Sequence, residues 1–173
     1  MIQSLLQFDR TLTESMRLRQ PSGWAWHMAT WLAHSGDSWF WAAGLALLWL
    51  IAPAAWRPSL FLTDVAVVIQ ALSIFALKRV FRRSRPAGEW GSFYRQIDPH
   101  SFPSGHATRA MLLLTLAWAL WPAWIAIVIS LWALAMSLAR VLTGVHYLSD
   151  IVGGWFFGLC YGLLAIVLFF VIW

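Results

Sequence analysis

Charge is scarce in this sequence. Asp, Glu, Lys and Arg make up 11% of its 173 residues, where a soluble domain needs about a quarter to cover its surface. The natural solvent of most of the chain is therefore lipid, in keeping with a mean hydropathy of +0.69. Cysteine occurs once, at Cys160, which excludes an internal disulfide and leaves the redox compartment unread. His27, His34 and His100 lack Cys or carboxylate companions at chelating spacing, so no metal and no other cofactor is expected. There is no internal repeat and no low-complexity linker, and the length permits one compact domain. The first twenty residues scatter their charges and have no apolar central run, so no cleavable signal peptide is expected there.

What the chain has instead is tryptophan, 14 residues of it, an amphipathic ring suited to the bilayer interface. Leu5, Phe8, Leu12 and Met16 recur at helical spacing among Asp9, Arg10 and Arg17, which predicts an amphipathic helix lying on a membrane surface. Pro21-Ser22-Gly23 breaks it, and residues 24–34 are aromatic but shorter than the roughly 20 residues of a full crossing. The apolar runs at 39–56, 59–77, 107–121, 123–139 and about 148–173 follow. The expected fold class is all-α: a polytopic helical bundle of five full transmembrane spans, with six as the alternative, preceded by an interfacial region. Asp64 and Gln70, inside the second run, should face the bundle interior. Gly154, Gly158 and Gly162 recur every four residues and predict a packing face, within the bundle or between two copies.

The second run ends at Lys78 and the third begins near Ser104, so both ends lie on one side of the membrane. A hairpin at Trp121-Pro122 returns the chain to that side at Arg140, and the last span starts there near His146. Three polar segments far apart in sequence can therefore converge. The first carries six basic residues between Lys78 and Arg95. Nucleic acid is excluded as its partner by its place between membrane spans, and an anionic headgroup or phosphate suits it better. Lys78 and Arg85 can neutralise a dianionic phosphate, with arginine offering a bidentate fork. The stretch equally reads as a solvated basic loop gripping lipid headgroups.

The second segment is Pro-Ser-Gly-His, residues 103–106. Ser104 is placed as the N-cap of the third span, and Gly105 lets a backbone N–H approach an anion closely. His106 falls in the first turn, facing whatever is bound; an ordinary cap with an interfacial histidine is the plain alternative. The third segment places His146 and Asp150 four residues apart on one helical face, after Arg140. The carboxylate can hold one imidazole nitrogen as N–H and leave the other as a nucleophile. A structural pair locking two helices is the other reading. His100 and Tyr94 could touch substrate by location alone.

Together these segments read Lys-x6-Arg-Pro, Pro-Ser-Gly-His and Arg-x5-His-x3-Asp. The pattern resembles the type 2 phosphatidic acid phosphatase (PAP2) family of membrane lipid phosphatases, which shares its site with vanadium haloperoxidases. The resemblance covers residues 78–150 directly. It implies a metal-independent lipid phosphatase in which His146 is the nucleophile, forming a phosphohistidine, and Asp150 orients it. His106 would protonate the leaving oxygen. Lys78, Arg85, Ser104, the Gly105 N–H and Arg140 would bind the phosphoryl oxygens. One departure is Ala139, where the family usually has serine before the arginine; a hydrogen bond to phosphate or to a supporting residue would be lost there. The whole chain, 1–173, would then be one such membrane domain, with interfacial helices at 1–36, two spans at 39–77, a catalytic loop at 78–106 and three spans at 107–173.

The resemblance implies a phospholipid or polyprenyl (di)phosphate substrate in the bilayer. Undecaprenyl diphosphate is slightly preferred over phosphatidylglycerol phosphate, phosphatidic acid and a lipid A phosphate. A phosphotransferase passing the group to another lipid is one rival reading, and a non-enzymatic binder of anionic lipids is another. The expected location is the bacterial inner membrane, with the site on the periplasmic face. Charge argues the other way: 11 of the 12 Lys and Arg lie on the catalytic side, with Arg57 alone opposite.

Overall fold

The computed structural model describes residues 2–18, 22–87 and 98–173. Seven α-helices account for most of them: α1 (Ile2–Met16), α2 (Trp24–His34), α3 (Ser38–Ile51), α4 (Arg57–Phe81), α5 (Gly105–Leu120), α6 (Ala123–Leu142) and α7 (Leu148–Ile172). A 3₁₀ turn at Ala54–Trp56 leads into α4. Among the described residues the one β-type pairing is an isolated bridge between Ser84 and His100. The expected all-helical class holds.

The span count is where length matters. Among the described residues three helical stretches are long and apolar enough to cross a membrane: Ala54–Phe81, Ala123–Leu142 and Leu148–Ile172. The run expected to cross at 39–56 is broken. Pro53 has no amide hydrogen and drives Ala52 into extended backbone (φ −69°, ψ 151°), so α3 stops at Ile51 after 14 residues. Helix α5 has 16 residues, about 24 Å of rise against a hydrocarbon core of about 30 Å. It does not need to meet lipid along its length, because it forms the centre of the bundle. It packs most extensively on α7, then on α6 and α4, and Ala107, Ala110, Leu112, Leu113, Leu116 and Ala117 are all buried. Around it, large apolar side chains such as Leu72, Leu131, Leu163 and Val167 stay exposed on α4, α6 and α7. An apolar belt of this kind is the surface of a membrane protein.

The glycine stripe of α7 faces α5 and not a second copy. A Cβ at Gly154 would come within 2.7 Å of the Ser104 carbonyl, one at Gly158 would overlap the Thr108 carbonyl, and one at Gly162 would meet Thr115. Small residues let the two backbones touch, which fixes the start of α7 against the start of α5. The N-terminal helices dock on the same end. On α1 the side turned to the bundle joins polar and apolar contacts: Thr13 accepts from the Leu148 N–H at 3.1 Å, Asp9 accepts from the Ser149 N–H at 3.0 Å, and Met16 packs against Ala107, Val141 and Ile151. Leu5 and Phe8 remain exposed on its other side, 63% and 66%. Trp26, Ala29 and Ala33 of α2 are buried, and Ala29 and Ala33 pack against Ala139 of α6. That packing accounts for the alanine before Arg140. A serine hydroxyl there would enter an apolar contact.

Candidate active site

Four helix ends define the site. Lys78 lies in the last turn of α4, Gly105 and His106 open α5, Arg140 lies in the last turn of α6, and His146 precedes α7. All of them line one cavity of about 480 Å³, together with Arg85. The convergence expected from chain topology is thus realised. Two of the expected residues stand behind the cavity wall instead. Ser104 is fully buried and its Oγ accepts from the Ala107 N–H at 3.4 Å, so it caps α5. Asp150 is fully buried beneath His146. Tyr94 lies outside the described residues. His100 pairs with Ser84 and is not among the cavity residues.

The loop between α4 and α5 is pinned by its ends. Arg82 takes a left-handed conformation (φ 49°) that closes α4, and its N–H donates to the Lys78 carbonyl. The Ser101 N–H then donates to the Arg83 carbonyl at 2.8 Å. Arg83 and Arg85 are sent in different directions from this short extended piece. Arg85 enters the cavity, where Nη1 donates to the Val145 carbonyl at 3.2 Å and stands 3.3 Å from His146 Nε2. Arg83 goes behind the wall. Its Nη1 donates to Asp150 Oδ1 at 2.7 Å, its Nη2 to Asp9 Oδ2 at 2.7 Å, and its guanidinium lies 4.1 Å from the Tyr147 ring centroid.

His146 is 1% exposed. Its Nδ1 lies 3.5 Å from Asp150 Oδ2, beyond a normal hydrogen bond; because arginine can only donate, the Arg85 contact to Nε2 calls for the tautomer with hydrogen on Nδ1. The same Oδ2 accepts from the Tyr147 N–H at 2.9 Å. Burial, and then the cations of Arg85, Arg140 and Lys78, hold the His146 imidazole well below its usual proton affinity. It is neutral at physiological pH, with Nε2 carrying its lone pair on the Arg85 side. Such a nitrogen can attack an electrophile, and three surrounding cations can hold the anion it attacks.

Sequence reasoning missed four charged residues at this site. Asp98 pairs with Lys78 Nζ, and accepts from Arg85 Nη2 at 2.9 Å through the same oxygen. Asp37, in the turn between α2 and α3, lies 2.8 Å from His106 Nε2. Arg109, 3% exposed on α5, donates to the Gly36 carbonyl and to Ser38 Oγ and so grips that turn. Arg83 is the fourth. Gln70, expected to face inward, lines the cavity, and its Nε2 donates to the Gly105 carbonyl at 3.4 Å. A signal for Asp37 and Arg109 was present. Each is a charge at the mouth of an apolar segment, where a partner is required.

Residues 60–173 match the PAP2 superfamily. The chain belongs to this family. Proteins similar to it include lipid A 1-phosphatases of Rhizobium johnstonii and Rhizobium etli, 33% and 32% identical over 110 residues, or 60% of this chain. The alignment covers 45% and 47% of those two proteins, so the chain spans less than half the length of the relatives it matches. Among solved PAP2-type structures, a phosphatidylglycerolphosphate phosphatase from Bacillus subtilis superposes with a TM-score of 0.76 at 21% identity, covering 95% of this chain and 86% of that one. LpxE of Aquifex aeolicus superposes with a TM-score of 0.65 at 22% identity, covering 94% of both chains. At these identities the two structures speak for the fold, which is the PAP2 fold.

Proposed function

We propose that this protein is a lipid phosphatase that removes a phosphoryl group through a phosphohistidine on His146. The observation that carries the reading is the buried His146 imidazole set in one cavity with Lys78, Arg85 and Arg140. In this account Nε2 of His146 attacks phosphorus and Asp150 holds the hydrogen of Nδ1. Lys78, Arg85, Arg140 and the Gly105 N–H receive the phosphoryl oxygens, and His106 supplies the proton for the leaving oxygen. Phosphoryl transfer needs chiefly positioning and charge stabilisation, and these groups provide both. Ser104 enters this account as the cap that fixes the start of α5.

The substrate class is a lipid phosphomonoester or diphosphate. Undecaprenyl diphosphate remains our first candidate, with phosphatidic acid also open, and the names of the relatives support the expected alternatives of a lipid A phosphate and phosphatidylglycerol phosphate. We place the protein in the bacterial inner membrane with one membrane domain over 1–173 and five crossings, α3 and α5 being the short ones, and the cavity open to the periplasmic side. The test is phosphate release from each of these lipids by the purified chain in detergent, with His146→Ala in parallel. Release by the wild type alone supports the reading. No release from any of them, or equal release by the variant, overturns it. Release that requires a second lipid, which itself becomes phosphorylated, replaces hydrolysis with transfer.

A further inference from the structure

The acid expected at His106 faces an electrostatic difficulty. To give up a proton it must carry one, yet it shares its cavity with Lys78, Arg85 and Arg140 and its helix with Arg109. An imidazolium among so many cations needs a compensating anion close by. Asp98 serves the opposite wall, on Lys78 and Arg85. The carboxylate beside His106 is Asp37, whose Oδ1 lies 2.8 Å from Nε2. Resting on the phosphatase reading, we propose that Asp37 is the positioning residue for the general acid, forming with His106 a second His–Asp pair.

Three observations support this. Asp37 occupies the N-cap position of α3 yet makes no side-chain cap hydrogen bond, so its carboxylate is turned to histidine instead of to its own helix. Its Oδ2 stands 3.4 Å from Nδ1 of His34, a second imidazole. The turn is also held in register: Arg109 grips it on both sides of Asp37, and a Cβ on Gly36 would lie 2.9 Å from His106 Cδ2, so glycine is needed for the approach. His34, Gly36, Asp37 and Ser38 precede the matched family region, 60–173, whereas His106 and Arg109 lie within it.

The two pairs have opposite polarity. Asp150 faces Nδ1 of His146 and leaves Nε2 for attack; Asp37 binds Nε2 of His106 and leaves the proton on Nδ1 to be passed on. In the forward step the His146 lone pair forms the N–P bond, and the P–O bond to the lipid breaks with its electron pair going to oxygen. That oxygen takes the Nδ1 proton, and His106 becomes neutral. Water then attacks phosphorus and gives a proton to Nδ1 of His106, the N–P bond breaks with its electron pair returning to Nε2 of His146, and phosphate leaves. Asp37 stays ionised throughout and stabilises the imidazolium at each end of the cycle.

The test compares Asp37→Asn with wild type on two probes in detergent micelles. Dioleoyl phosphatidic acid has an alkoxide leaving group that needs the proton; dodecyl-nitrophenyl phosphate has a phenolate that does not. The variant should lose about thirtyfold or more in kcat on the first and less than about threefold on the second. The alkaline limb of kcat on phosphatidic acid should move to lower pH, because the groups facing His106 would then be Arg140, Arg109 and neutral His146 without the carboxylate. Asp37→Glu should restore part of the difference between probes. A second measurement needs no turnover: the His106 ring-nitrogen NMR titration in nanodiscs should move to lower pH in Asp37→Asn. Equal losses on both probes, or an unmoved titration, would make Asp37 a structural contact and overturn the proposal. His146→Ala separates this from the reading beneath it: turnover by that variant removes the phosphatase mechanism itself, whereas a dead His146→Ala beside an unimpaired Asp37→Asn removes only the role of Asp37.

Discussion

Replacing Asp98 with asparagine should tighten the binding of phosphate analogues. One Asp98 oxygen serves both Lys78 Nζ and Arg85 Nη2, so an entering phosphoryl oxygen has to displace it. The side chains of Lys78 and Arg85 are 6% and 5% exposed, and that of Asp98 is 23% exposed. The pair therefore lies between two regimes: surface ion pairs worth about 0–1 kcal/mol and charged hydrogen bonds away from water worth about 1.5–3 kcal/mol. A displacement cost of about 1–2 kcal/mol corresponds to about five- to thirtyfold in affinity. Asparagine keeps the shape and leaves the backbone carbonyl that accepts from Arg85 Nε at 3.0 Å, so the change is one of charge. The assay is orthovanadate inhibition of lipid hydrolysis in micelles, repeated at low and high salt, since the gain should shrink as the freed cations are screened. A vanadate inhibition constant that stays the same or rises in Asp98→Asn would refute the competition.

Three further perturbations follow from the same geometry. Because burial and the cations of Arg85, Arg140 and Lys78 depress the proton affinity of His146, the nucleophile stays neutral as pH falls through the ordinary imidazole range. The acid limb of kcat should then lie below about 6.5, and a limb at or above that value contradicts the assignment. Asp150→Asn removes the negative charge beside Arg83 Nη1 and His146 Nδ1 and turns one of its two acceptor oxygens into a donor, and should lower kcat about a hundredfold with the fold retained; near wild-type turnover would free His146 from its orienter. Gly158→Ala puts a methyl against the Thr108 carbonyl and the Met111 side chain, which should destabilise the bundle by about 1–3 kcal/mol, read as a lower thermal midpoint in detergent.

The convergence of Lys78, Arg85, His106, Arg140 and His146 was legible because it depends on few quantities. Span lengths and one hairpin at Pro122 decide which ends share a side, and the cavity follows. The glycine period on α7 was legible as a packing face, but its partner was not, since periodicity carries no information about which helix is met. Pro53 was visible in the sequence, yet hydropathy averages across it; only the backbone shows that α3 ends at Ile51. Asp37 and Asp98 were hidden for a different reason. Each meets its partner across a long separation in sequence, 69 residues for Asp37 and His106 and 20 for Lys78 and Asp98, and neither spacing belongs to a helix or a strand. Ser104 illustrates a residue type with two uses. A serine before a helix caps it and can also hold an anion, and burial of its Oγ behind the cavity favours the cap.

The central claim is that the phosphoryl group passes through His146, and trapping that intermediate tests it most directly. Lipid labelled with radioactive phosphate is mixed with the purified protein in detergent, quenched in alkali within a fraction of a turnover, and digested for peptide mapping. The account predicts alkali-stable, acid-labile label on the peptide that contains His146, chased by water into free phosphate and absent from His146→Ala. Label on another residue, or label that persists in His146→Ala, would contradict it.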